Sequence, residues 1–195
     1  MVWCCRGKVV KSEQATQTQL RSAGTTNSNT AESGLVQMTT AQKQFFDKIL
    51  PTVQQVSQKK GIVTSVMLAQ TILESAWGTS QLATNANNIF GIKADASWNG
   101  NSYTVSTKEV ENGKTVTVER KFRAYKTIFE SITDYGNFFT STPWRTKNYA
   151  SFLQATNYET ALTSLLASGY ATDPTYAEKL KSVIQRYGLD QYDVN

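Results

Sequence analysis

From Thr39 onward the chain takes on helical spacing: Phe45, Phe46, Ile49 and Leu50 recur so as to share one face, Thr39 or Thr40 is placed to cap their helix, and Pro51 is expected to bend or restart it. Val66, Leu68, Ala69, Ile72, Leu73 and Ala76 then leave so little polar surface that a second helix, near 64–77 with Gly78 as its stop, belongs at the centre of a core. Between Asn99 and Tyr125 the period becomes two-fold. Tyr103, Val105 and Thr107 alternate on one strand and Val116, Val118 and Arg120 on its return, around a turn at Glu111-Asn112-Gly113. Helical spacing resumes near 127–141, 148–155, 158–168 and 174–187, with Asp173 as cap and Pro174 as first residue of the last helix. A mostly helical chain with one inserted β-hairpin is an α+β arrangement rather than alternating α/β.

Residues 1–39 show no comparable period. They are rich in Thr, Ser, Gln, Asn and Ala and read as a disordered arm ahead of a single folded domain at 40–195. Charge follows the same division: residues 1–60 hold eight Lys or Arg against three acids, and the remainder is balanced, so the net +5 belongs to the front of the chain. Such an arm can track an anionic polymer, but without interleaved aromatics it is a poor nucleic-acid signal. No apolar run approaches the ~20 residues of a membrane span, and the opening Met1-Val2-Trp3-Cys4-Cys5-Arg6 has no apolar centre of a secretory signal.

Composition narrows the chemistry. The 195 residues contain no histidine, which removes Ser-His-Asp and Cys-His catalysis and histidine-bearing zinc sites, and the only cysteines are Cys4 and Cys5. No metal or cofactor is expected, and carboxylates become the leading candidates. Glu74 lies in the most apolar helix, beside Ile72, Leu73, Ala76 and Trp77, where desolvation favours the protonated form that a general acid needs. A buried Glu paired with a lysine or capping a loop is the competing reading. Glu109, Glu111 and Glu119 on the hairpin offer a second carboxylate from a separate element, as glycoside hydrolysis commonly requires.

Four motifs then converge in order. Ala69-Gln70-Thr71-Ile72-Leu73-Glu74-Ser75-Ala76-Trp77-Gly78, Asn87-Asn88-Ile89-Phe90-Gly91-Ile92-Lys93, Phe122-Arg123-Ala124-Tyr125 with Asp134-Tyr135, and Tyr170-Ala171-Thr172-Asp173-Pro174-Thr175-Tyr176-Ala177 together resemble the glucosaminidase domain of glycoside hydrolase family 73. The resemblance implies a lysozyme-like α+β fold with the hairpin lobe beside a cleft. It also implies cleavage, within glycan strands of peptidoglycan, of the β-1,4 bond between N-acetylglucosamine and N-acetylmuramic acid. It implies Glu74, Glu109 and Tyr176 as the catalytic set: Glu74 as general acid, Glu109 as the hairpin glutamate and Tyr176 as the hydroxyl lining the cleft. Asn88, Phe90, Gly91, Tyr125 and Tyr170 are the expected substrate-binding residues. Glu111 and Glu119 remain rivals of Glu109.

On this reading the protein works as a monomer outside the cell on the bacterial wall, with the basic arm free to touch anionic wall polymers. Two alternatives stand beside it. A lytic transglycosylase needs only one catalytic glutamate, and a wall-binding module of little activity needs none.

Overall fold

A computed structural model describes residues 35–111 and 114–193, apart from the side chains of 107–116; the expected arm up to Gly34 and the turn residues Asn112 and Gly113 lie outside these. The described chain forms eight α-helices, a C-terminal 3-10 turn (Leu189–Tyr192) and one two-stranded antiparallel sheet. Helix α1 (Thr40–Lys60) opens on a capping box, in which the Thr39 hydroxyl accepts from the Gln42 amide and the Gln42 side chain accepts from the Thr39 amide. Phe46, Ile49, Val53 and Val56 bury its inner face. The helix runs through Pro51 rather than restarting there. Pro51 is exposed, so the Asp47 carbonyl that loses its i+4 donor lies on the solvent side of the helix.

Helix α2 (Thr64–Ser75) is buried continuously from Thr64 to Ile72. So many hydroxyls survive inside the core because each has a partner: Thr71 donates to the Met67 carbonyl, Ser75 to the Thr71 carbonyl, and Thr64 pairs with Ser57 at 2.8 Å. Its N-cap Val63 has no side chain to offer. Asp193, 128 residues away, supplies the acceptor instead, taking the Ser65 amide on one oxygen and the Ser65 hydroxyl on the other, both at 2.7 Å. A short helix that sequence periodicity did not announce, α3 (Gln81–Ala86), follows with Ser80 as its cap.

Strands β1 (Ser102–Glu111) and β2 (Lys114–Arg123) pair in register from Ser102 opposite Arg123 to Glu111 opposite Lys114. Only the base of this ribbon is buried, at Phe122 and Arg123; the described side chains farther out are exposed or half-buried. A bridge between Lys93 and Phe122 and the bond from the Arg123 amide to the Ile92 carbonyl tie that base to the body.

The remaining helices are α4 (Ile128–Phe138), α5 (Pro143–Asn148), α6 (Ala150–Leu153), α7 (Tyr158–Ala167) and α8 (Tyr176–Tyr187). The segment expected near 148–155 is the short α6, with the unannounced α5 just ahead of it, and α8 begins at Tyr176 rather than Pro174. Asp173 caps the preceding turn, accepting from the amide and hydroxyl of Thr175, and pairs with Lys179 at 2.6 Å. Residues 35–39, assigned to the arm from sequence, lie against the end of α8 through a bond from the Val36 amide to the Arg186 carbonyl. No helix among the described residues is long and apolar enough to cross a membrane.

Candidate active site

Glu74 occupies the last turn of α2, half-buried, and the helix ends one residue later. Ala76, Trp77 and Gly78 are all left-handed (φ 49°, 58° and 77°), so the helix stops at Ser75, earlier than Gly78 alone suggests. Two non-glycine residues in that region cost of order 1 kcal/mol or more each. The Ser75 hydroxyl helps hold the turn by accepting from the Gly78 amide at 2.8 Å, and a Cβ on Gly78 would strike the Phe45 ring at 2.5 Å. The turn carries the chain away from Glu74.

A buried polar chain meets the carboxyl from behind. The Tyr135 hydroxyl (α4) donates to Gln70 Oε1, Gln70 Nε2 donates to Tyr176 Oη (α8) at 3.2 Å, and Tyr176 donates to Glu74 Oε1 at 2.8 Å. Gln70 precedes Glu74 by one helical turn and therefore shares its face. Among the described residues nothing binds Glu74 Oε2. Burial raises the Glu74 pKa from 4.5 to about 7, against the opposing pull of the Tyr176 hydrogen bond and the Lys179 charge. The negative end of the α2 dipole acts in the same direction as burial. Burial also holds the Tyr135 and Tyr176 phenols well above their ordinary pKa, so both remain donors. The dry surroundings are thus made by tyrosines. Trp77, the neighbour expected to dry the carboxyl, packs edge-on against Tyr187 at 5.1 Å.

Several residues expected to touch sugar are enclosed. Phe90 is fully buried and stacks on Tyr135 with ring centroids 3.9 Å apart, leaving no face for a pyranose. Asn88 is 1% exposed and turned inward, donating both amide hydrogens to the carbonyls of Ile92 and Arg123 and accepting from the Ile92 amide. Gly91 turns the buried loop at φ 63°. Tyr170 is 2% exposed, packed between Phe139, Tyr149 and Tyr176, with its hydroxyl beside that of Tyr135 but in no hydrogen bond of good geometry. In this structure these four act as supports rather than as exposed surface. They fix the base of the hairpin and the tyrosines behind Glu74.

Tyr125 remains at the surface. It donates to Asp134 at 2.7 Å and lines an open groove of about 400 Å³ with Trp98, Thr127 and Phe129. Asp134 also takes both of its oxygens to Arg123 Nη1, at 2.8 and 3.1 Å, while the guanidinium lies 4.6 Å above the Trp98 ring. The Phe-Arg-Ala-Tyr and Asp-Tyr motifs therefore lock the hairpin base to α4. Glu109 lies opposite Val116, and its side chain, like that of Glu111, is outside the described residues. Glu119, opposite Ser106, is exposed. Sequence reasoning missed Gln70 and Tyr135, although a glutamine one turn before Glu74 in an otherwise apolar helix was a visible signal.

Known proteins share this architecture. The family profile described as mannosyl-glycoprotein endo-beta-N-acetylglucosaminidase matches residues 50–189. The chain belongs to the glucosaminidase family. This glucosaminidase domain is 44% identical over 153 residues to the exo-glucosaminidase LytG of Bacillus subtilis, an alignment that takes in 78% of the chain and 54% of LytG. It is 37% identical over 148 residues to the peptidoglycan hydrolase FlgJ of Salmonella typhimurium, covering 74% of the chain and 46% of FlgJ. The chain thus spans about half the length of these curated relatives. Among solved structures, the catalytic domain of the autolysin Auto from Listeria monocytogenes matches with a TM-score of 0.70 at 35% identity, over 82% of this chain and 91% of that one. A C-terminally truncated glycoside hydrolase domain of Salmonella typhimurium FlgJ matches at 0.63 and 36%, over 75% and 97%.

Proposed function

We propose that this domain hydrolyses peptidoglycan glycan strands at the β-1,4 bond between N-acetylglucosamine and N-acetylmuramic acid, with Glu74 as general acid. The observation that carries the reading is the Glu74 carboxyl itself. It is half-buried at a helix end, held on Oε1 by Tyr176 and without a partner on Oε2 among the described residues. A carboxyl with a pKa of about 7 is still protonated in about half of the molecules at pH 7, and in more of them below it, and can pass that proton from Oε2 to the leaving glycosidic oxygen. The lysine-paired alternative has less support, since Lys179 pairs with Asp173 at 2.6 Å and its charge is the smallest of the influences on the Glu74 carboxyl. The names of the relatives, a peptidoglycan hydrolase and an exo-glucosaminidase, support the substrate and the sugar on the cleaved side. The site of action is then the cell wall.

Glu109 is the proposed second carboxylate, activating water or meeting the developing positive charge from the hairpin side. Glu109→Gln is expected to lower kcat by about a hundredfold.

Purified peptidoglycan digested by the wild type and by Glu74→Gln, reduced with borohydride and analysed by mass spectrometry, tests the proposal. Reduced glucosaminitol ends from the wild type, with a loss of about a thousandfold in Glu74→Gln, support it. Muramic or anhydromuramic ends would move the cut to the other bond, the latter making the enzyme a lytic transglycosylase. Binding to wall without any product would leave only a wall-binding module. Early release of long fragments marks cutting within strands, whereas stepwise loss of terminal sugars marks the exo mode named for LytG.

A further inference from the structure

Each hydroxyl in the chain behind Glu74 has one proton, so the direction of donation at one link fixes the next. Tyr135 gives its proton to Gln70 Oε1. The amide must then present Nε2 to Tyr176, which occupies the phenol oxygen as an acceptor and sends its own proton to Glu74 Oε1. In the reverse order Gln70 Oε1 would compete for the Tyr176 proton and the carboxyl would lose its donor. A chain that ends on a carboxylate, the strongest acceptor present, favours the observed direction.

We infer that Tyr135 and Gln70 are positioning residues that act through Tyr176 to keep the acid proton of Glu74 on Oε2, the oxygen left for substrate. An Oε1 already accepting from Tyr176 is the poorer place for that proton. This rests on the reading of Glu74 as the general acid. It gives the Asp134-Tyr135 motif a second task beyond locking the hairpin: Asp134 faces Arg123 and Tyr125, while the next residue turns inward and sets the orientation of the acid. The groups bearing on Glu74 are Tyr176 and Lys179 from α8, Tyr135 from α4 and Tyr170 from the segment before α8.

Tyr135→Phe is the informative change, because it keeps the ring stacked on Phe90 and removes only the hydroxyl that sets the amide. Steady-state digestion of peptidoglycan across pH by the full chain is compared for wild type, Tyr135→Phe, Tyr176→Phe and the double variant. Tyr135→Phe should lower kcat about tenfold with KM within about twofold, and move the alkaline limb upward. Tyr176→Phe should cost more, and the double variant no more than Tyr176→Phe alone, since the two act in series. Independent structural damage would instead multiply the two losses, and that result overturns the inference, as does a wild-type kcat and pH limb in Tyr135→Phe. Gln70→Glu checks the direction without altering the aromatic packing: acceptors offered to both phenols should draw the Tyr176 proton off Glu74, and wild-type kinetics there would also overturn it.

Titration of the Glu74 carboxyl carbon by NMR, in 13C-glutamate-labelled protein, separates this inference from the one beneath it. A wild type that releases no glucosaminitol ends sinks the catalytic reading. The proton's placement is still decided in the same samples, by an upward shift of the titration in Tyr135→Phe or by its absence.

Discussion

The wall behind Glu74 and the β-hairpin are built on opposite principles. Helix α2 is enclosed by α1, α7, α8 and the 3-10 turn at Leu189–Tyr192, with Tyr135 of α4 reaching its Gln70, and even its polar side chains have partners. The hairpin is a long two-stranded ribbon with a core only at its base, where Phe122 and Arg123 are buried. Two strands alone are marginal in water, so the ribbon depends on its anchor. The contrast separates duties. The rigid wall holds one proton in place, while the hairpin brings the proposed second carboxylate from an element whose position rests on a few contacts.

The anchor is the sharpest place to break that division. Arg123→Ala would leave Asp134 half-buried without its ion pair and strip the cation from Trp98, which should cost about 3 kcal/mol, read as a lowered urea midpoint. If activity fell no further than stability required, the hairpin would not need a fixed base.

Next comes the cost of the acid itself. The folded pKa of Glu74, about 7, lies above the unfolded value of 4.5, so the folded state binds this proton more tightly. Stability from this group is therefore whole below about pH 4.5 and is lost as pH rises toward 7. Allowing for its partial exposure, about 2 kcal/mol is involved. Glu74→Gln should be more stable than wild type by about that amount at pH 8 and equal to it at pH 4, by chemical denaturation at each pH. An equal difference at both pH values would mean that Glu74 does not titrate as described.

A smaller effect is expected at the far end of α2. Asp193→Ala removes the acceptor for the Ser65 amide and should cost about 1 kcal/mol of stability with kcat nearly unchanged, since the cap lies at the helix end away from Glu74. Smallest of all is Glu119→Gln. Its side chain is exposed and should alter stability by no more than about 0.5 kcal/mol, with digestion near wild type. A large loss there would transfer the role proposed for Glu109 to Glu119.

The sequence by itself determined a good deal. Periodicity located α1, α2, the hairpin and α8 to within a few residues, because buried faces must repeat at the period of their own backbone. Glu74 stood out because a carboxyl in an apolar helix is anomalous at once. Only the tertiary structure decided what surrounds it. The Tyr135–Gln70–Tyr176 chain joins α4, α2 and α8, and Asp193 caps a helix from 128 residues away, so no local pattern contains either. The same reason explains Phe90 and Asn88. The family resemblance implied them as sugar contacts, and packing against Tyr135 and Arg123 buries them in this structure. Residue type and spacing report which face of an element is apolar, but which groups meet there depends on how distant elements pack.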